Sequence, residues 1–412
     1  MSRPTTTSRR RGRHRLSAVV AAVLALSLIA AACGDDDDDA GDDDVSTDET
    51  TSEDTGDEGD DAGDEEGGDE EGAADGEMTE LSLQLQWFAQ SQFAGYYAAL
   101  EEGFYEDEGL DVEILEGGVD IVPQQVLGSG QAELAIAWVP KALASREEGL
   151  DIIDVGQIFQ RSGTLQVSWA DDEITEPADL EGTVVGNWGF GNEFELLAGI
   201  RSAGLDPESD VELVQQNFDM QALINREIDA AQAMIYNEYG ILLESEDPDT
   251  GELFQPEQFN VIDWNDVGTA MLQDAIWARS DWPAENGETL EAFLTATLRG
   301  WIFCRDNFDA CVDHVMAAGP ALDRLHQEYM LNEINALIWP SPGGIGMVDE
   351  DLWAQTIEVS LDTELLAEDP GAEAYDDSYV AAAIEALEAD GVDVTGEGFE
   401  KLDIDLSAAG GG

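Results

Sequence analysis

Apolar and polar positions follow two alternating rhythms over the stretch from Leu81 to Trp301. Leu81 to Trp87 (LSLQLQW) is polar at every second position and predicts a strand. Phe93 to Glu102 has helical spacing and closes at Gly103, and Leu110 to Leu115 predicts a second strand. Val122 to Leu127 then predicts a short helix, Glu133 to Trp138 a third strand and Pro140 to Glu148 another helix. A β-α-β-α-β run with such short connections predicts a parallel sheet covered by helices on both faces.

Two more strands, Ile152 to Phe159 and Thr164 to Trp169, lead to a helical turn at Ala178 to Leu180, and the rhythm restarts. Strands at Thr183 to Gly186, Val211 to Val214 and Ile228 to Ile235 enclose helices at Asn192 to Ala203 and Met220 to Asn225. The pattern predicts two lobes: 81–175 with 275–412, and 176–274. The chain crosses back near Met271 to Trp277. From Glu288 onward it is mostly helical, over Thr289 to Arg305, Ala310 to Ala318 and Asp323 to Leu337, with a break at Trp339 to Gly346 (WPSPGGIG). Ser407 to Gly412 reads as a frayed end.

Two α/β lobes joined by crossovers place a cleft between strand ends. Four clusters follow strands and are the candidate ligand contacts: Trp87 with Gln92, Phe93 and Tyr96; Trp138; Trp188 with Gly189, Gly191, Asn192 and Glu193; and Tyr236 with Asn237 and Glu238. In VVGNWGFGNEFELL, Gly186, Gly189 and Gly191 allow a tight turn into a helix whose first N–H groups are unpaired. Such an end ordinarily attracts an anion. Glu193 and Glu195 already occupy the first turn, which favours a ligand that donates hydrogen bonds or carries positive charge. The plainer alternative is a βα turn whose acidic residues stabilise the helix dipole.

Composition adds a compartment. Arg9 to Arg15 precede an apolar run, Leu16 to Ala32, ending at Cys33, which reads as a secretory signal peptide (1–33) with lipidation at Cys33. An uncleaved anchor is the alternative, and either leaves the chain exported and tethered, on the outer face of the cytoplasmic membrane. Residues 34–80 hold 25 of the 93 acidic residues and almost nothing apolar, which predicts a disordered acidic linker. The remaining 68 face ten basic residues, a balance that argues against nucleic acid or anionic lipid as partners. Cys304 and Cys311 would lie about 10.5 Å apart on one unbroken helix. Asp306, Asn307 and Asp309 predict a helix break between them, and in an exported chain a disulfide is expected over two buried thiols. With His314 they make only a weak zinc signal. No metal or cofactor is expected.

The run QWFAQSQFAGYYAALEEGFYEDEGLDVEI, then SGQAELAIAW, GNWGFGNEFELLAGIRSAGL and NREIDAAQAMIYNEY, resembles the thiamine-pyrimidine-synthase-like branch of bacterial substrate-binding proteins. That branch includes binders of formyl-aminopyrimidine, riboflavin, nitrate and aliphatic sulfonates. The resemblance covers about Leu81 to Trp301 and is specific for the superfamily, not for the ligand. It implies a two-lobed type II periplasmic-binding-protein fold with hinge crossovers, monomeric, closing on a small solute and presenting it to the permease and ATPase of an ABC importer. The family also contains an enzyme that builds the thiamine pyrimidine from pyridoxal phosphate and its own histidine. By position its lysine would fall near Ala137 and its histidine near Lys141, and MLQDAIWARS lacks the enzyme's cysteines, so the resemblance implies a binding protein. The synthase and an interaction-only lipoprotein remain alternatives. Nitrate or sulfonate would need cations at the cleft, where only Lys141, Arg146 and Arg161 are candidates. The expected ligand is a flat, nitrogen-rich heterocycle, an aminopyrimidine first and a flavin next, stacked on Trp87, Trp138 or Trp188.

Overall fold

The computed structural model describes residues 78–406. The expected signal peptide, Cys33, nearly all of the acidic linker and the 407–412 end lie outside the described residues. Among the described residues ten strands form two sheets: β1 (Thr79–Gln84), β2 (Leu110–Leu115), β3 (Leu134–Trp138), β4 (Ile152–Gln157), β5 (Thr164–Trp169), β6 (Val184–Asn187), β7 (Glu212–Gln215), β8 (Ala230–Met234), β9 (Phe259–Asp263) and β10 (Asp274–Arg279). The first sheet has the order β2-β1-β3-β10-β4 and the second β7-β6-β8-β5-β9. In each sheet three strands pair in parallel, β2-β1-β3 and β7-β6-β8, and one strand runs against both its neighbours: β10 between β3 and β4, and β5 between β8 and β9.

Central strands covered on both faces must be apolar throughout, and Leu134 to Ala137 and Ala275 to Ala278 are buried without interruption. The placement of Thr164–Trp169 differs from expectation. It was assigned to the first lobe, but β5 pairs with β8 and β9 in the second sheet. Its local pattern marks it as a strand in either place, and only long-range pairing decides its sheet. The chain therefore crosses between sheets at 158–163 and again at 264–273, and Asp274 opens a strand of the first sheet instead of ending the second lobe. Strand β9 was not anticipated.

Helices from the C-terminal part complete the first layer. The long helix Gly287–Asp306 lies against Ala94–Glu101, and the two approach so closely that a Cβ on Gly300 would lie 2.0 Å from the carbonyl oxygen of Gly95. Trp301 packs edge-on to Tyr96 and Phe159, and Tyr105 stacks on Phe293 while its hydroxyl meets Thr297 Oγ1 at 2.9 Å. The helix ends at Asn307, a second helix runs over Phe308–Ala318, and this break brings the Cys304 and Cys311 Cα atoms to 5.0 Å, joined by a disulfide as expected. Both cysteines are fully buried. Reducing them under denaturing conditions should lower the stability of the refolded protein by about 2.5 kcal/mol, through the larger entropy of the unfolded chain; an unchanged denaturation midpoint for the Cys304→Ala/Cys311→Ala pair would contradict this.

Candidate functional site

Antiparallel pairing decides which residues reach the edge shared by the strand ends. Asp274 stands opposite Trp138, so the first residue of β10 lies beside the carboxyl end of β3, and Thr164 lies likewise opposite Met234 at the end of β8. The two edges face one another. Lys141, on the helix Val139–Glu147 after β3, donates through Nζ to Asn192 Oδ1 of the turn after β6 at 2.7 Å. Trp87 meets Phe218 with ring centroids 5.5 Å apart, and Phe159 meets Tyr236 edge-on at 6.2 Å.

On the first sheet the polar groups converge on Asp274. Its Oδ1 accepts from Gln86 Nε2 (2.6 Å), Trp138 Nε1 (2.8 Å) and Gln92 Nε2 (3.2 Å), while Oδ2 accepts from Gln92 Nε2 alone (2.9 Å). Burial raises its carboxyl to about 7 despite these bonds and the charge of Lys141. Gln92 is held in turn by Gln90, and the adjoining Ser91 is fixed through its N–H and hydroxyl to Gln327. Phe93 is wholly buried in the core, and burial followed by the Asp274 charge raises the Tyr96 phenol. Lys141 Nζ lies 4.7 Å over the Trp138 ring, and burial lowers its amine to about 8 against the pull of Glu193 and Asp274.

The second sheet contributes the turn foreseen in the sequence. Gly189 (φ 70°) and Gly191 (φ 86°) adopt left-handed conformations, and so does Phe190 between them (φ 56°), which is 86% exposed. Buried glutamines brace this turn. Gln232 accepts from Trp188 N and donates to the Asn192 carbonyl, and Gln216 bonds the Gln232 backbone on both sides. Trp188 is buried and stacks on Phe218 at 5.6 Å. Glu193 accepts from Gly191 N, and Glu195 turns inward to accept from Met271 N at 2.6 Å. Burial raises Glu195 to about 7, so it ties the helix Phe194–Ser202 to the 264–273 crossover instead of facing a ligand.

The fourth cluster divides. Tyr236 lies near Asp274, whose charge adds to burial in raising its phenol. Glu238 folds back to accept from Met234 N and Asn237 Nδ2, and Asn237 Oδ1 meets His326 Nε2, whose ring also bonds Glu244. Asn237 and Glu238 thus form a separate half-buried knot between the helices Glu238–Leu243 and Arg324–Ile338, because the Glu238 side chain turns onto the backbone of its own strand. Arg146 and Arg161 are engaged by backbone carbonyls, Arg146 by Ile152 and Arg161 by Ala336, Leu337, Trp339 and Pro340. Ala137 is buried within β3.

Sequence reasoning missed Asp274, Gln86, Phe159 and Phe218. Asp274 carried a signal, a single carboxyl opening the strand DAIWAR ahead of four apolar residues. Among the described residues no group of His, Cys, Asp and Glu could hold a metal ion, and no helix is long and apolar enough to cross a membrane.

A family model described as NMT1/THI5 like matches residues 90–310. The formylaminopyrimidine-binding protein of Halalkalibacterium halodurans is 26% identical over 293 residues, covering 69% of this chain and 86% of that protein. The riboflavin-binding protein RibY of Chloroflexus aurantiacus is 25% identical over 305 residues, covering 71% and 84%. Among solved structures, the periplasmic aliphatic sulphonate binding protein SsuA from Escherichia coli superposes with a TM-score of 0.55 at 17% identity, over 70% of this chain and 89% of that one, a likeness of fold alone.

Proposed function

The chain belongs to the NMT1/THI5-like family and has the two-lobed fold of periplasmic solute-binding proteins, and from that premise we propose that it is the extracytoplasmic receptor of an ABC importer for an aminopyrimidine precursor of thiamine or a related heterocycle such as riboflavin. The carrying observation is the cleft edge itself, where Trp87, Trp138, Trp188 and Tyr236 surround polar groups whose one nearby amine, Lys141, is already bonded to Asn192. Flat apolar walls with a few convergent polar groups suit a ring. The names of the two relatives support a heterocycle, and the engagement of Arg146 and Arg161 elsewhere weighs against nitrate or sulfonate. The lipid on Cys33, the linker and a monomeric body presenting solute to permease and ATPase complete the proposal. Ala137 and Lys141 at the positions of the synthase's lysine and histidine favour binding over catalysis.

Calorimetric titration with 4-amino-2-methylpyrimidine, riboflavin, nitrate and taurine tests it. A heterocycle should bind at micromolar affinity or tighter, with a smaller radius of gyration by small-angle scattering as the lobes close. Removing one stacking wall by Trp188→Ala should weaken it by about tenfold. Tight binding of nitrate or taurine with neither heterocycle would overturn the assignment.

A further inference from the structure

We propose that Asp274 selects the ligand: its Oδ2 accepts an N–H from the edge of a flat heterocycle, either an exocyclic amine or a ring N–H. This rests on the reading of the cleft as a heterocycle site and names the group that does the choosing.

Asp274 is 1% exposed, yet no cation pairs with it among the described residues. A buried carboxyl is costly unless its oxygens are satisfied. Oδ1 meets that requirement three times over, whereas Oδ2 receives only Gln92 and keeps a lone pair to give. The backbone at this point is pinned, because the Asp274 carbonyl accepts from Ile158 N, Phe159 N and Gln157 Nε2, so the acceptor is held in place before a ligand arrives.

One further polar atom at this point has no hydrogen-bond partner among the described residues. Gln157 Oε1, on the residue whose amide holds the Asp274 carbonyl, is buried and unpaired. Acceptors at Asp274 and Gln157 match a ring edge that carries N–H groups. Nitrate and the sulfonate group itself offer acceptors only, and their charge would repel an ionised Asp274. A site built around a buried acceptor should also reject an isosteric ring that lacks the donor, since the carboxyl would then stay unpaired against a methyl group.

The experiment is calorimetric titration of the full chain, wild type and Asp274→Asn, at a pH of about 8.5 where the carboxyl is ionised, with two matched pairs: 4-amino-2-methylpyrimidine against 2,4-dimethylpyrimidine, and riboflavin against 3-methylriboflavin. In the wild type the N–H member of the pair that binds should be tighter by about 30-fold or more, as a charge-assisted bond implies. In Asp274→Asn, whose added N–H₂ competes with the ligand's donor, that ratio should fall to within about threefold. A ratio unchanged in the variant, or equal affinity of wild type for both members, overturns the role of Asp274 while leaving a heterocycle receptor standing. Should Asp274→Asn fail to fold by circular dichroism, the wild-type ratio decides alone. If wild type binds no member of either pair, the heterocycle reading itself falls, and this inference with it.

Discussion

The protein should melt at a higher temperature at pH 5 than at pH 8, the reverse of what paired surface carboxylates would give. Burial is the main cause that raises Asp154, Glu195, Glu238 and Asp274 to about 7 each, and among these Asp154 is the least compensated: Oδ1 accepts from Gly156 N and Oδ2 has no partner among the described residues. In the unfolded chain such groups titrate near pH 4. Between about pH 4 and 7 the folded protein therefore holds protons that the unfolded chain has released. The stability this contributes is fully present below about pH 4 and is lost as pH rises through about 7. Self-repulsion acts in the same direction, since the formal net charge at pH 7 is −77. Calorimetric melts at constant ionic strength measure the trend, and Asp154→Asn should flatten it. A melting temperature that climbs from pH 5 to pH 8 would mean that these carboxyls are ionised and paired in the folded state.

Gly300→Ala should destabilise the protein by about 3 kcal/mol, although alanine ordinarily favours a helix over glycine by about 1 kcal/mol. The added methyl would lie 2.0 Å from the Gly95 carbonyl oxygen and 2.9 Å from Ala99 Cβ, so the helices Ala94–Glu101 and Gly287–Asp306 must separate. Gly95 cannot yield in return, because its own Cα faces the Trp301 ring, where a Cβ would come within 2.2 Å. The displaced helix follows directly on Gln92, which bonds both oxygens of Asp274, so ligand affinity should drop together with the denaturation midpoint. Urea titration that found the variant as stable as wild type would contradict the close packing of these helices.

The local rhythms of the chain carry much of this architecture. Leu110–Leu115 and Thr164–Trp169 coincide with the strands expected there, and the helices Gly287–Asp306, Phe308–Ala318 and Arg324–Ile338 begin and end within two residues of the apolar spacings, whereas Glu350–Asp362 and Ser378–Ala389 were not delimited in advance. Sheet membership was not legible: β5 looks alike whichever sheet it joins, and β9 (FNVID) is too short to stand out from its surroundings. The site divides along the same line. Trp87, Trp138, Trp188 and Tyr236 could be placed near the cleft because residues following a strand lie at its end. Asp274 escaped because its strand runs backwards, so a cleft residue comes first in the strand and not last. Glu195 and Glu238 show a third limit, since proximity to the cleft in sequence does not say that a side chain will turn from ligand to backbone.

The two chain crossings impose an order of assembly. All five strands of the second sheet lie within the contiguous run 164–263, so that sheet can pair as soon as this run has emerged. The first sheet cannot be completed then, because β10 fills the gap between β3 and β4 and is made only after the whole insert. Until it arrives, β3 and β4 each present an open edge, separated in sequence from their missing partner by more than a hundred residues, the kind of distant pairing that slows folding and exposes a chain to aggregation. The cleft carboxyl is the first residue of that late strand, so ligand-binding competence should be the last property acquired during refolding, lagging behind the recovery of secondary structure.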